Sequence, residues 1–327
     1  MKSTTRTAGF VLSLVAVTGA AALIGAAVGP VGADTQPQPH RGGHESAGDV
    51  VAPTAGHGDG HDESHGAAGT ALPGGLMVSQ DGYTLQLLQD HFQPARRVPL
   101  RFRITDPSGA TVTAYEVSHG KQLHLIAVRR DLSDFQHVHP ELDEDGTWSV
   151  PVDLAAPGEY RVFADFTPQG AGEGYTLGHD VSVAGDYSPQ TLPEPARTAT
   201  VDGYEVELEG TLVPGRTSRL TLTVTKDGED VTDLQPYLGA YGHLVALRDG
   251  DLAYLHVHPD GEPGDGRTEP GPVITFHAEV PSVGSYRLFL DFQHRGVVRT
   301  AAFTATASDP GDEQETGGDP HAGDHAH

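Results

Sequence analysis

The sequence predicts an all-β chain made of two copies of one sandwich domain, and three observations predict it. Short apolar runs of strand length are punctuated by Gly/Pro clusters such as Pro107-Ser108-Gly109, Pro157-Gly158 and Pro214-Gly215. Blocks of the first half recur in the second with matching spacing. The 327 residues, 37% of them hydrophobic, are enough chain for two cores of ordinary domain size.

From the N-terminus, residues 1–33 read as an export signal: Lys2 and Arg6 form a basic start, an apolar run extends from Ala8 to Gly29, and Val31-Gly32-Ala33 fits the small-residue cleavage rule. The expected mature protein begins at Asp34, is secreted or held at the cell exterior, and is not inserted in the membrane. The competing reading is an uncleaved anchor, because the run is long enough to cross a bilayer. Residues 34–75 and 308–327 are rich in Gly, Ala, His, Asp and Glu, with little to bury, and are expected to be disordered. Eight of the 19 histidines fall there: His40, His44, His57, His61, His65, His321, His325 and His327. Such tracts chelate metal weakly or, on the competing reading, simply titrate as solvated tails.

The two repeats span residues 76–184 and 199–307. His124-Leu-Ile-Ala-Val-Arg129 matches His243-Leu-Val-Ala-Leu-Arg248, and Phe135-Gln-His-Val-His-Pro140 matches Tyr254-Leu-His-Val-His-Pro259 with no gap between the blocks. Tyr160-Arg-Val-Phe-Ala-Asp-Phe166 matches Tyr286-Arg-Leu-Phe-Leu-Asp-Phe292 after an insertion that falls in the acidic loop from Asp260 to Gly271. Strands are expected near 83–89, 98–105, 123–129, 135–139, 147–152, 159–166 and 176–183 in the first repeat. In the second they are expected near 203–209, 218–225, 241–248, 253–258, 273–280, 285–292 and 298–306. Seven short strands in each repeat give the pattern of an Ig-like or cupredoxin-like sandwich. The linker at 185–198 carries Pro189, Pro193 and Pro195 and is expected to tether the domains semi-rigidly.

Composition excludes several roles. A net charge of -25 and only three lysines, Lys2, Lys121 and Lys226, leave no basic stripe for nucleic acid. With no cysteine there is no disulfide, thiolate zinc site or iron-sulfur cluster, and Met77 alone after the initiator cannot make a methionine-rich Cu(I) site. Any metal must be held by imidazole and carboxylate.

The segments His124–Val128 and Phe135–His139 flank a polar connection and read as a β-hairpin. A symmetric hairpin puts His124 opposite His139, with His137 two residues along on the same face. Three imidazoles then converge, supplying three corners of a tetrahedral or square-planar site whose fourth position is a carboxylate or water. The second repeat is expected to do the same with His243, His256 and His258. Asp165 and Asp291, each set among apolar neighbours in the shared Tyr-Arg-x-Phe-x-Asp-Phe strand, need a partner, and are the carboxylates expected to ligate the metal or orient a ligand histidine. His91, His119, His179, His277 and His294 have no aligned counterparts and carry little weight. The competing reading makes the hairpin histidines structural, satisfied by carbonyls or a buried aspartate.

At these residues the sequence resembles a loose group of exported bacterial domains of Ig-like or cupredoxin-like fold. They bear an HLI…F-x-H-x-H-P…Y-x-x-F-A-D-F signature and are often associated with copper or heavy-metal handling. The likeness covers both repeats and neither tail, and implies metal handling without naming a reaction. The absent Cys and Met ligands depart from true cupredoxins and from blue-copper electron transfer. The expected function is therefore a non-catalytic, exported protein that sequesters or passes on a divalent ion, Cu(II) or Zn(II), with a cell-surface or metal-transport protein as its partner. The alternatives are an Ig-like interaction or adhesion module with structural histidines, and a zinc hydrolase or lyase. For the latter no general base or substrate pocket is marked in the sequence.

Overall fold

The computed structural model describes residues 72–309 apart from His256. The expected signal at 1–33, and the histidine-rich segments up to residue 71 and from residue 310, lie outside the described residues. The first repeat contains β1 (Ser79–Gln80), β2 (Tyr83–Leu87), β3 (His91–Phe92), β4 (Ala95–Thr105), β5 (Leu123–Arg129), β6 (Gln136–Val138), β7 (Glu141–Leu142), β8 (Trp148–Leu154), β9 (Gly158–Phe166) and β10 (Tyr175–Val183). The second contains β11 (Thr198–Val201), β12 (Tyr204–Glu209), β13 (Thr217–Lys226), β14 (Glu229–Asp230), β15 (Gly242–Arg248), β16 (Tyr254–Leu255), β17 (Val257–Pro259), β18 (Val273–Glu279), β19 (Gly284–His294) and β20 (Val297–Ala307). Among the described residues there is no helix, so none is long and apolar enough to cross a membrane.

Each repeat stacks two sheets: β1-β2-β4-β8-β7 on β3-β10-β9-β5-β6, and β11-β12-β13-β18-β17 on β16-β15-β19-β20. The outer strands show why. Trp148–Leu154 alternates buried and open positions, as does Tyr204–Glu209, so each presents one face to a core and one to water. The first core gathers Leu100, Phe102, Trp148, Tyr160 and Phe166, and the second gathers Tyr204, Phe276, Tyr286, Phe292 and Phe303.

β5 behaves differently, because all seven of its residues are buried. Leu123, Leu125 and Ala127 enter the first core, while Ile126 and Val128 point the other way, into a third cluster with Phe163, Val245, Leu247 and Phe289. This cluster is the seam between the repeats. β15 is shared in the same manner, with Leu244 and Ala246 in the second core and Val245 and Leu247 in the seam. Repeat-equivalent residues meet reciprocally: Phe135 stacks on Phe289 at 3.9 Å between centroids, and Tyr254 packs on Phe163 at 5.7 Å. The seam is thus a pseudo-two-fold interface of one surface with its own duplicate. Each aliphatic or aromatic side chain it removes from water contributes about 1.5–3 kcal/mol. Packing, rather than the stiffness of a proline linker, therefore sets how the repeats sit. The linker itself lies on the seam, with Leu192 packed against the cluster and the Gln190 amide donating to Asp131 at 2.7 Å.

Residues 72–75, expected to belong to the disordered lead, are instead docked. The Tyr254 amide donates to Gly74 O, the Gly75 amide to Thr176 O, and buried Arg161 reaches Gly75 O through Nε at 2.9 Å. The close approach depends on Gly178, where a Cβ would come within 2.0 Å of Gly75 O. Backbone groups in the seam need hydrogen-bond partners, and this segment supplies them where apolar side chains could not.

Candidate metal centre

The β5–β6 ladder pairs Leu125 with Val138 and Ile126 with His137, and just past its end the rings of His124 and His139 lie beside each other. All three histidines share the face of β5 that is turned toward the second repeat. Their rings lie 5.3 Å (His124–His137), 5.0 Å (His124–His139) and 4.9 Å (His137–His139) apart. Three imidazoles around one ion with metal–nitrogen bonds of about 2.0–2.1 Å and tetrahedral angles place their centroids roughly 5 Å apart, so the spacing fits an ion without rearranging the strands. One nitrogen from each ring lies within 4.8 Å of the others.

The hydrogen bonds assign those nitrogens. His124 Nε2 lies 3.1 Å from Ser118 O, which only accepts, so Nε2 carries the proton and Nδ1 is the bare nitrogen. His137 Nδ1 donates to Asp291 Oδ2 at 2.8 Å, and its Nε2 faces the bare Nδ1 of His124 at 3.1 Å. The other oxygen of Asp291 accepts from Thr300 Oγ1 at 2.5 Å. His139 Nε2 is buried and has no hydrogen-bond partner. Two rings are thus anchored at their far nitrogens by a carbonyl and a carboxylate, the outer arrangement that orients metal-binding histidines, and the third presents an orphaned nitrogen. His124 Nδ1 and His137 Nε2, 3.1 Å apart, face each other on the side an ion would occupy.

Burial pushes His124 down to about 3, with the neighbouring His137, His243 and His119 adding to the fall against the Ser118 carbonyl, which opposes it. His139 falls to about 3 and His243 to about 4, burial again being the main cause. Asp165 moves the other way, up to about 6, because burial outweighs the lowering by His137 and Thr176. A histidine with a depressed folded value contributes stability that is present above its unfolded value near 6.5 and is lost as pH falls toward 3. For His124, 8% exposed, that loss is about 2 kcal/mol between pH 7 and pH 5. Asp165 opposes it, since a raised carboxyl gains stability on acidification, but it stands as one group against three. Thermal melts in chelator should show a lower midpoint at pH 5 than at pH 7; an unchanged or higher midpoint would contradict the buried, neutral imidazoles.

The second repeat does not repeat the triad among the described residues. His256 lies outside them. β16 pairs with β15 only through Tyr254 and Leu255, after which β17 joins β18 in the opposite sheet, setting His258 across from His277. The expected single strand at 253–258 is therefore split, and His258 is exposed. The strand leaves the seam earlier than in the first repeat, where β6 holds β5 through Val138. What the second repeat brings to the first repeat's histidines is Asp291, bonded to His137, and the ring of His243. Asp165 lies across the ladder from His124, as Asp291 does from His243. A cavity of about 330 Å³ opens beside them, lined by His119, His124, His137, Asp165, His243 and His258.

Sequence reasoning passed over His119. It sits in a tight turn, Ser118–Lys121, whose repeat equivalent is Tyr237–Ala240; residues 119–120 and 238–239 all have positive φ. The two turns abut, Gly120 near Leu238 and Gly239 near His119, and this carries the His119 ring to 5.3 Å from His243. The signal was the shared Gly120/Gly239, which marks equivalent turns, but nothing local shows that the turns touch.

Fold and site together define a tandem β-sandwich protein with a histidine-lined seam between its repeats. The chain belongs to the family described as a domain of unknown function (DUF8832), whose model matches twice, over residues 78–185 and 199–309. No curated protein matches the sequence. Among solved structures the chain is similar to the Escherichia coli adhesin FdeC, at 14% identity and a TM-score of 0.23, over 70% of this chain and 65% of that one. It is also similar to a Salmonella α2-macroglobulin, at 16% identity and a TM-score of 0.20, over 71% of this chain and 15% of that one. The D0-D1 domain of intimin matches at 10% identity and a TM-score of 0.20, over 68% and 96% of the two chains.

Proposed function

We propose that the protein binds one divalent ion, Cu(II) or Zn(II), between its repeats, and acts outside the cell in sequestering or passing on that metal. The observation that carries this reading is the triad of His124, His137 and His139, with two far nitrogens already anchored by Ser118 and Asp291 and the orphaned His139 Nε2 completing the set. Imidazole donors without thiolate suit both ions. The export part rests on the signal pattern of residues 1–33.

Titration calorimetry with Zn(II) at pH 7 tests the binding. The expected result is one tight event in the wild type, above weaker binding by the histidine-rich ends. His139→Ala should lose the tight event. A tight event unchanged in the variant would contradict the site.

A second reading, an Ig-like interaction module of the cell surface, is supported by the all-β tandem architecture, which commonly serves as a binding surface. It predicts no tight event and no thermal shift with either metal.

A further inference from the structure

We infer that His243 supplies the fourth ligand to the ion held by the first repeat's triad, so that a bound metal joins the two repeats. The inference rests on the metal-binding reading and deepens it. The three triad residues come from one hairpin, and the side they leave open faces the second repeat. There the His243 ring lies 6.1 Å from both His124 and His137, about 1 Å beyond the roughly 5 Å centroid spacing of ligands around one tetrahedral ion. Its Nε2 donates to Leu238 O at 3.0 Å, which leaves Nδ1 as its bare nitrogen. This repeats the assignment of His124, whose Nε2 is held by Ser118 O and whose Nδ1 faces the triad. Two histidines at equivalent positions of the duplicated fold, each fixed by a turn carbonyl, are thereby turned with the same nitrogen free on either side of the pseudo-two-fold.

His119 is the rival, 6.2 Å from His124 and 5.3 Å from His243. It approaches one member of the triad, whereas His243 approaches two, and among the described residues its ring has no anchor comparable to the Leu238 carbonyl. A water as fourth ligand is the other possibility the experiment must separate.

The test uses the full chain. Zn(II) affinity is measured by competition with a chromophoric chelator in the wild type, His243→Ala, His243→Gln, His119→Ala and His139→Ala, and one equivalent of Co(II) reports the donor set through its visible bands. The expected result is that both His243 variants bind at least about 10-fold more weakly than wild type, with Co(II) bands displaced from their wild-type position. His243→Gln keeps the side-chain volume and a donor for Leu238 O, so a loss shared by both variants is a loss of ligation rather than of packing. Wild-type affinity and bands in both His243 variants, with binding lost in His139→Ala, would overturn the fourth ligand and leave the triad standing. Weakening by His119→Ala and not by the His243 variants would overturn it in favour of His119. No tight binding by the wild type would remove both the site and this inference.

Discussion

Replacing His137 by alanine is expected to remove the tight metal site and also to destabilise the metal-free protein by about 1–3 kcal/mol, the cost of leaving one member of a buried hydrogen-bonded pair without its partner. The pair is His137 and Asp291, 2.8 Å apart, with side chains 5% and 4% exposed. Without the imidazole, the carboxylate keeps only Thr300 as a described hydrogen-bond donor, and it cannot turn to water from the middle of the seam. His139→Ala makes the informative contrast. It also removes a ligand, but the nitrogen it deletes has no partner, so the metal-free protein should change by less than about 1 kcal/mol. Denaturant unfolding in chelator, run beside Zn(II) titration on both variants, separates the two effects. Equal destabilisation by both variants with metal affinity intact would mean that the histidines are structural.

The second large effect belongs to Phe289. Truncation to alanine should cost about 3–5 kcal/mol, because Phe289 is 4% exposed and lies flat on Phe135, their planes 7° apart. The loss acts between the repeats rather than inside either core. One cooperative unfolding transition should therefore separate into two, one for each sandwich. Phe289 and Asp291 lie on the same face of β19, so slackening the stack should also weaken metal binding through the grip of Asp291 on His137. The exposed Val297→Ala, at the far end of the β19–β20 hairpin, should stay within about 0.5 kcal/mol of wild type. A Phe289→Ala protein that melts as one unit at the wild-type midpoint would show that the seam does not couple the repeats.

The strands were legible because their signals are local. The run His124-Leu-Ile-Ala-Val reads as β from its branched residues, and the polar loop after Arg129 centres the hairpin so that His124 falls opposite His139, which the β5–β6 ladder and the adjoining rings of the two histidines match. The same run held a further message. Its lack of alternation, repeated in Leu244-Val-Ala-Leu, is what a strand buried on both faces looks like, and two such strands in a duplicated chain point to the repeats packing on each other. The site was less legible for the same reason. The partner of His137 is Asp291, 154 residues away, and no hairpin register can foresee a contact made by docking one domain on another. Nor does the near-identity of the two HxHP blocks reveal that the second repeat's strand changes sheets after Leu255, since the pairing of Val257–Pro259 with β18 is decided by residues far along the chain. Duplication suggested two sites; among the described residues the second repeat's His243 and Asp291 lie beside the first repeat's histidines.

The central claim, an ion held by the first repeat's histidines at the seam, is tested most directly by crystals of the protein grown with one equivalent of Zn(II) and measured on either side of the zinc absorption edge. The account predicts an anomalous peak within about 2.0–2.1 Å of His124 Nδ1, His137 Nε2 and His139 Nε2, with His137 Nδ1 still bonded to Asp291. Zinc bound only elsewhere, with the triad's hydrogen bonds as they stand in the metal-free protein, would contradict it.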